Sequence, residues 1–240
     1  MLHYDKPLTM IKFFRKIRQD LLSKGKTGKY LKYAIGEIIL VVIGILIALG
    51  INNLNARKND RNKEVVYLNR LTTNLNSDIR LYNLIIKKDS SLIKDLEIMN
   101  SDYLDGQNNG KKTISNLSSL FSGYHFTSNS TTIDNIISSG KIEIIRSNYL
   151  LEDIFLYYRT TDDIEKGIDE AISEYNRAVF GPLIIELDIE NLSDKQKIKF
   201  KNSINMKIDL LNNQLKIYSS QRELAKNLLN KINKELELIR

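Results

Sequence analysis

Hydrophobic residues recur at alternating steps of three and four along three long stretches of the chain, residues 68–103, 150–178 and 204–239. This spacing places apolar side chains on one face of a helix, so each stretch is predicted to bury a stripe against partner helices. Tyr and Ala mix with the branched residues in the stripes, which favours an irregular bundle within one chain over a regular two-stranded coiled coil. The pattern predicts an all-α fold.

Two acidic residues, Asp78 and Asp89, occupy positions in the first stripe that are otherwise apolar. Such residues can set the register between helices or line a polar cavity. Helical bundles also tolerate a few polar residues in their seams, and that is the simpler interpretation.

The ends of the long helices carry turn and capping signals. The polar sequence DGQNNG at residues 105–110 predicts a turn after the first helix, and Gly181-Pro182 predicts the end of the second. Ser193 and Gln196 have the spacing of a capping box, which predicts that the third helix starts there.

Shorter elements are expected between the first two long helices. Residues 114–121 and 133–139 are predicted to form short helices, the latter closed by Gly140 in a left-handed conformation. The sequence KIEII at residues 141–145 alternates charge with Ile and predicts a short extended segment. Ser147 is suited to cap the following helix.

Residues 34–51 form the most hydrophobic run of the chain, AIGEIILVVIGILIALGI. Eighteen residues rise about 27 Å as a helix, close to the roughly 30 Å apolar thickness of a bilayer, so the run is predicted to span a membrane. Glu37 lies near the edge of the run, where a charge is less costly than at the centre. Gly36 precedes it, and Gly44 with Ala48 forms a small-xxx-small pair that can bring two spanning helices together.

A cleaved signal peptide is the alternative to a membrane anchor, because Ala48-Leu49-Gly50 resembles a small-residue cleavage site. The basic region before the run is 33 residues long, and the run itself exceeds the usual 7–15 apolar residues of a signal peptide. These features favour the anchor.

Positive charge is concentrated before the apolar run. Residues 1–33 contain nine Lys or Arg and two Asp, while the rest of the chain contains 27 positive and 27 negative residues. The positive-inside rule therefore predicts a cytoplasmic N-terminus. The neutral remainder argues against nucleic-acid binding, which needs a basic face on the folded domain.

The basic flank is itself amphipathic. Its apolar residues, among them Phe14 and Ile17, form one helical stripe, and the basic residues predicted to lie at the membrane surface are Lys12, Arg15, Lys16 and Arg18. This pattern is typical of a helix lying on an anionic leaflet. A basic topology signal without fixed shape is the alternative, and Gly25 and Gly28 predict a break before the spanning helix.

These signals divide the sequence into a cytoplasmic flank (1–33), a transmembrane helix (34–52) and a periplasmic helical bundle or coiled-coil domain (53–240). The chain has no cysteine, so disulfides and thiol chemistry make no contribution.

Motifs that would indicate an enzyme, a cofactor or a metal are missing. Ser139-Gly140-Lys141 resembles the end of a phosphate-binding loop, but Asn135 and Ile142 stand where that motif needs Gly and Ser or Thr. His125 is expected to be an ordinary loop histidine. A series of acidic residues could hold a divalent cation but is better explained as a solvated helix face. Its members are Asp162, Asp163, Glu165, Asp169, Glu170 and Glu174.

The sequence MIKFFRKIRQDLLSKGKTGKYLKYAIGEIILVVIGILIALGINN, residues 10–53, closely resembles the opening of an uncharacterised family of single-pass membrane proteins from Bacteroidota. SSGKIEIIRSNYLLEDIFLYY, residues 138–158, is more weakly similar to a pattern in the outer domain of that family. The resemblance implies an inner-membrane protein with a helical domain outside the cytoplasm, and Gly36 and Glu37 are the family-like positions. It implies no activity, cofactor or catalytic residue.

The leading hypothesis is a non-enzymatic interaction or scaffold protein, anchored in the bilayer, that binds a protein partner or forms a homo-oligomer. The alternative is a sensory input domain, because antiparallel helices joined to a spanning helix can transmit a shift on ligand binding. Such a sensor would signal through a partner protein, since only some 33 residues precede the spanning helix.

Overall fold

The computed structural model describes residues 27–104, 121–187 and 192–239, together with Lys12, Arg15, Lys16 and Gln19. Contacts divide the chain into two compact units, residues 1–60 and 61–240. The predicted turn at 105–110 and most of the predicted helix at 114–121 lie outside the described residues.

Helix α1 runs from Thr27 to Leu104, a length of 78 residues. The predicted spanning helix and the first long helix are therefore one continuous helix. Gly28 lies in the first turn of α1, and residues 20–26, which precede that helix, are outside the described residues, so the predicted break before the spanning helix stays a prediction.

In the N-terminal unit, α1 exposes its apolar side chains. Every residue from 35 to 60 is exposed, including the Ile, Leu and Val residues of the hydrophobic run. Of the helices that the structure describes, this one alone has the length and composition to cross a membrane. Its exposed apolar surface is what a lipid environment would cover.

The second unit begins with the later part of α1, and its described residues contain no strand, which confirms the all-α prediction. After an irregular segment come α2 (Thr131–Ser138) and a 3₁₀ turn (Ile142–Ile144). Further helices run end to end: α3 (Asn148–Ile164), a π-helical segment (Glu165–Asp169), α4 (Glu170–Tyr175), a second π-helical segment (Asn176–Phe180) and α5 (Gly181–Glu186). The last helix, α6, spans Asp194–Ile239.

The predicted capping residues are confirmed. Ser147 accepts a hydrogen bond from the Leu150 N–H through its side chain (3.3 Å). At the start of α6 the Ser193 N–H donates to Gln196 Oε1 (2.9 Å), and the Gln196 N–H donates to Ser193 Oγ (3.4 Å). Gly140 follows α2 with a φ of +65°.

Two local predictions are wrong. Residues 142–144 form a 3₁₀ turn, in which the Ile144 N–H donates to the Lys141 carbonyl (3.1 Å), because no neighbouring strand offers ladder bonds. Gly181-Pro182 does not end the second long helix. Proline is tolerated in the first turn of a helix, and Pro182 lies there in α5, directly after a π-helical segment.

The buried stripe of α1 matches its prediction at every position from 68 to 99, including Asp78 and Asp89. The second stripe matches as far as Ile168; beyond it Ile172 and Phe180 are buried, whereas Ala171 and Ala178 are exposed. The π-helical segments cause this difference, because each holds more residues per turn than an α-helix and turns a later residue inward.

Three hydrophobic clusters follow one another along the second unit. One joins residues of α1, α2 and α3 to the C-terminal part of α6, among them Leu71, Ile136 and Leu228. Another joins the end of α1 to the start of α6, among them Leu96 and Phe200. The cluster between them is small and aromatic: Tyr82, Ile85, Phe126 and Tyr218.

Candidate functional site

The irregular segment at residues 122–130 is held among the helices of the second unit. Its anchor is Phe126, whose side chain is 1% exposed and stacks on Tyr82 with ring centroids 3.7 Å apart. Tyr218 meets Phe126 edge-on at 6.1 Å. A segment without regular structure cannot pair its own backbone N–H and C=O groups, so buried ones need partners elsewhere.

Helix α6 supplies those partners on one side. Lys207 Nζ donates to the Ser122 carbonyl (3.0 Å), and Gln214 Nε2 donates to the Tyr124 carbonyl (3.1 Å). The Phe126 N–H donates to Tyr218 Oη (3.2 Å) and more weakly to Asp169 Oδ2 (3.4 Å). Side chains on one helix face therefore bind alternate residues of the segment, which is how an extended chain presents its backbone.

Helix α1 supplies the partners at the other end of the segment. Asp78 Oδ1 accepts a hydrogen bond from the Asn129 N–H (2.9 Å), and Asn74 Nδ2 donates to the Asn129 carbonyl (2.9 Å). Asp78 Oδ2 also accepts from the Tyr157 hydroxyl (2.9 Å). Burial raises the pKa of Asp78, opposed by the bonds from Asn129 and Tyr157. Both backbone groups of Asn129 are thus satisfied by side chains of α1.

Asp169 connects these contacts. It is 4% exposed and accepts hydrogen bonds at Oδ1 from the Tyr218 hydroxyl (2.5 Å) and from Gln214 Nε2 (2.7 Å). Burial is the main cause that raises the pKa of Tyr218, so its hydroxyl stays a donor. The prediction that Asp169 belongs to a solvated face is therefore wrong, whereas Asp162, Asp163, Glu170 and Glu174 are exposed and Glu165 is half-buried.

A second buried pair of charged residues lies nearby. Asp89 and Lys207 are both 0% exposed. Burial raises the pKa of Asp89 to about 7, and the positive charge of Lys207 limits that rise. Burial lowers the pKa of Lys207 to about 8, and Asp89 limits that fall. Lys207 binds the Ser122 carbonyl and Asn176 Oδ1 (2.5 Å), while neither carboxylate oxygen of Asp89 accepts a hydrogen bond within the described part of the chain.

Glu64 performs a comparable role near the start of the second unit. It is 0% exposed, accepts a hydrogen bond from Arg61 Nη1 (2.7 Å) and accepts another from the Arg146 N–H (2.8 Å). The irregular backbone before α3 is therefore also held by a carboxylate of α1.

The residues predicted to carry function lie elsewhere. Gly36, Glu37, Gly44 and Ala48 are exposed on α1, and a Cβ added at Gly36 or Gly44 would meet no atom within 4 Å. In the flank Lys12, Arg15 and Lys16 are helical and exposed, while Arg18 is outside the described residues. His125 is exposed in its loop, with Nε2 3.4 Å from Ser173 Oγ. Where the structure is described, no three His, Asp or Glu residues are placed to hold a metal.

The buried polar residues of α6 were not predicted from the sequence. The third predicted stripe used Ile208, Leu215, Arg222 and Leu229, whereas the residues one position earlier are the buried ones: Lys207, Gln214, Gln221 and Leu228. Gln221 Nε2 donates to Thr161 Oγ1 (2.8 Å). The signal was a seven-residue repeat of long polar side chains next to an apolar repeat, which suits buried hydrogen bonds: Lys207 and Gln214 bind the irregular segment, and Gln221 binds α3.

Two surface pockets flank this segment. One, of about 360 Å³, is lined by apolar residues that include Ile133 and Phe155 and by charged residues that include Asp134, Arg159 and Asp162. The other, of about 370 Å³, is polar, and its lining residues are Tyr67, Arg70, Thr73, Asn74, Asn129, Thr131, Thr132 and Asn135. The side chains of the second unit thus bind the backbone of residues 122–129 inside the domain, and two small pockets lie at its surface.

Comparison with known proteins gives one match. The model of a family of unknown function, DUF6090, matches residues 37–164, slightly more than half of the chain. No curated protein and no solved structure matches the chain.

Proposed function

The chain belongs to the DUF6090 family, and we propose that it is a non-enzymatic interaction or scaffold protein anchored in the inner membrane of Bacteroidota bacteria. In this proposal the N-terminus is cytoplasmic, one helix crosses the bilayer, and a periplasmic bundle of three long helices contacts a protein partner or a second copy.

The observation that carries the proposal is the exposed apolar part of α1. Its large side chains between Ile35 and Leu54 are each about half to three-quarters exposed, whereas apolar residues of the second unit form three buried clusters. Burying each such side chain is worth roughly 1.5–3 kcal/mol, so a lipid environment stabilises this segment strongly. The nine basic residues before it support the orientation.

A role in interaction rather than catalysis is supported by how the buried polar groups are used. Asp78, Asp169, Gln214 and Lys207 bind the backbone of residues 122–129 or neighbouring side chains of the same domain. Polar side chains that bind the backbone of their own domain stabilise its fold. The exposed surface of the helices is therefore the part available to contact partners.

Membrane anchoring is tested by carbonate extraction of membranes that contain the full chain. The wild type should remain in the pellet, and the double variant Ile43→Lys with Leu46→Lys should be released, because central charges cost about 2.5–3.5 kcal/mol each on insertion scales. Leu84→Lys, at an exposed site in the second unit, is the control and should stay in the pellet. Release of the wild type would contradict the anchor, and a reporter fused after Arg240 tests the topology.

Partner binding is tested by site-specific photo-crosslinking in cells. Probes replace exposed apolar residues of the second unit, Tyr149, Ile185 and Leu238, and a matched probe replaces Lys216, which is exposed but polar. A discrete adduct from an apolar position that the Lys216 probe does not give supports the proposal. The absence of any adduct, including one with a second copy, would contradict it.

The two pockets beside residues 127–135 favour sensory input as a second candidate. The polar pocket contains Arg70, which makes no ion pair with the described residues, and no acidic residue lines it. It would suit a small anion or sugar acid. Thermal-shift screening of the full chain in detergent tests this role, because a ligand that binds the folded state raises its melting temperature. Arg70→Gln should abolish the shift.

A further inference from the structure

Three oxygen atoms in the centre of the second unit lack donors. Both carboxylate oxygens of Asp89 and the Oε1 atom of Gln214 are buried and accept no hydrogen bond from the described residues. A buried acceptor without a partner costs about 1–3 kcal/mol, and more when it is charged, so a donor is expected at this place.

Asp89 and Gln214 lie at the same level of the domain. Helices α1 and α6 are antiparallel, as shown by hydrogen bonds from Arg222 to Asn83 (3.0 Å) and from Asn100 to Asn205 (2.8 Å). By interpolation between these pairs, Asp89 lies at the level of residue 216 of α6, about half a turn from Gln214. Both residues are buried, and they share a neighbour: Asp169 bonds to Gln214 Nε2 (2.7 Å) and its charge acts on Asp89.

The charged groups around Asp89 indicate which donor its carboxyl lacks. The charged groups that act on its carboxyl are Lys207 on α6 and Asp169 on the π-helical segment, of opposite sign. Lys207 directs hydrogen bonds to Ser122 and Asn176, and Asp169 receives its own donors from Tyr218 and Gln214. Lys88, the next residue on α1, lies 4.4 Å from the centroid of the Tyr124 ring.

Gln214 cannot supply a donor to Asp89 with the bonds that it makes. The two hydrogens of its Nε2 atom are used by the Tyr124 carbonyl and Asp169 Oδ1, and the atom without a partner is the acceptor Oε1. If Asp89 binds one proton, one of its carboxylate oxygens becomes a donor. That O–H can bond to the Oε1 atom of Gln214, which then also has a partner. The described residues offer no third acidic or histidine ligand for a metal at this place.

We propose that Asp89 is a proton-binding site of the helical domain, in which the neutral carboxylic acid donates its O–H to Gln214 Oε1. The proton comes from solvent and no other bond changes. At acid pH the Asp89 side chain is neutral, and above neutrality it becomes a buried anion near Lys207 and Asp169. Proton binding therefore couples the packing of α1 against α6 to pH.

The direction of the effect follows from linkage. The pKa of Asp89 is about 7 in the folded chain, against 3.8 as the ordinary value, so the folded state binds more protons between these limits. The stabilisation from this carboxyl is fully present below pH 3.8 and is lost as the pH rises to about 7. The unfolding constant attributable to it grows by up to about tenfold per pH unit in that window.

The test is denaturant unfolding of the full chain in detergent micelles between pH 4.5 and 6.5. Asp89→Asn imitates the neutral acid, so the ratio of wild-type to variant unfolding constants should rise by up to about tenfold per pH unit. Asp95→Asn, at an exposed carboxyl of the same helix, should keep a constant ratio. A constant ratio for Asp89→Asn as well would overturn the proposal.

An infrared measurement keeps the test independent of whether Asp89→Asn folds. The carbonyl band of a protonated carboxyl should be present in the wild type at pH 6, fade by pH 8 and shift on Asp isotope labelling. Its absence would overturn the proposal. In Gln214→Met the band should move to higher wavenumber because the acid loses its acceptor; an unmoved band would overturn the assignment of Gln214 as that acceptor.

Discussion

At the scale of single residues, the interior of this domain is organised by side chains that bind backbone. Asp78 is an example, because its two oxygens receive the Asn129 N–H and the Tyr157 hydroxyl. Glu64 does the same for the Arg146 N–H. These carboxylates lie on α1, so a regular helix stabilises irregular segments that are remote in sequence.

Asp78→Ala should destabilise the second unit by about 2–4 kcal/mol, because it leaves two buried donors without an acceptor. Chemical unfolding of the full chain measures this change. Asp95→Ala, at an exposed position of α1, should change the free energy of unfolding by less than about 0.5 kcal/mol. Equal effects of the two substitutions would contradict the role assigned to Asp78.

Lys207 should make the domain more stable as the pH rises from 8 to 9.5. Its pKa falls from 10.5 to about 8 on folding, so the unfolded state binds more protons in that window and stability grows with pH. Lys207→Met should remove this rise, and Lys216→Met, an exposed substitution on α6, should retain it. The window ends below pH 10, where the raised pKa values of buried tyrosines act in the opposite direction.

At the scale of elements, predictability depended on whether a residue interacts with its near neighbours in sequence. The caps at Ser147 and Ser193 and the left-handed Gly140 were predicted because their partners lie within a few residues. The burial of Asp169 was missed because its partners, Tyr218 and Gln214, are some 45 residues away. Polar side chains in helices indicate solvent until such a distant partner is known.

The buried face of a helix was likewise predictable only where the helix is regular. The α1 stripe is uninterrupted, so its spacing alone predicted the buried face through Met99. Two π-helical segments interrupt the second long helix, and nothing in the three-and-four spacing marks them. Among the buried polar residues, Asp78 and Asp89 were predicted from their stripe positions, whereas Asp169, Lys207, Gln214 and Gln221 were not.

Two glycines provide a matched test of backbone conformation. Gly140→Ala should destabilise the chain by about 1–2 kcal/mol, because φ is +65° there while a Cβ would meet no neighbour. Gly167→Ala should stabilise it by about 0.4–1 kcal/mol, since this glycine is exposed in a helical segment and an added Cβ would meet no atom within 4 Å. Thermal melts of both variants measure the signs, and two shifts of the same sign would contradict the assignment.

At the scale of the whole molecule, the buried clusters lie within residues 61–239. A chain that begins at Arg61 should therefore fold without detergent, remain in the supernatant after ultracentrifugation and unfold in one cooperative transition. Sedimentation and circular dichroism measure these properties. Aggregation of this chain, with the full chain well behaved in detergent, would show that the N-terminal unit is needed for folding.

The hydrogen bonds to residues 122–129 engage main-chain atoms, and Phe126 is the one fully buried side chain among them. Hydrogen bonds to main-chain atoms do not depend on the side chains of the exposed residues. His125 and Thr127 can therefore be substituted as long as Phe126 is kept. Single-residue attachment points for fluorophores can accordingly be introduced at these two positions without altering the fold of the domain.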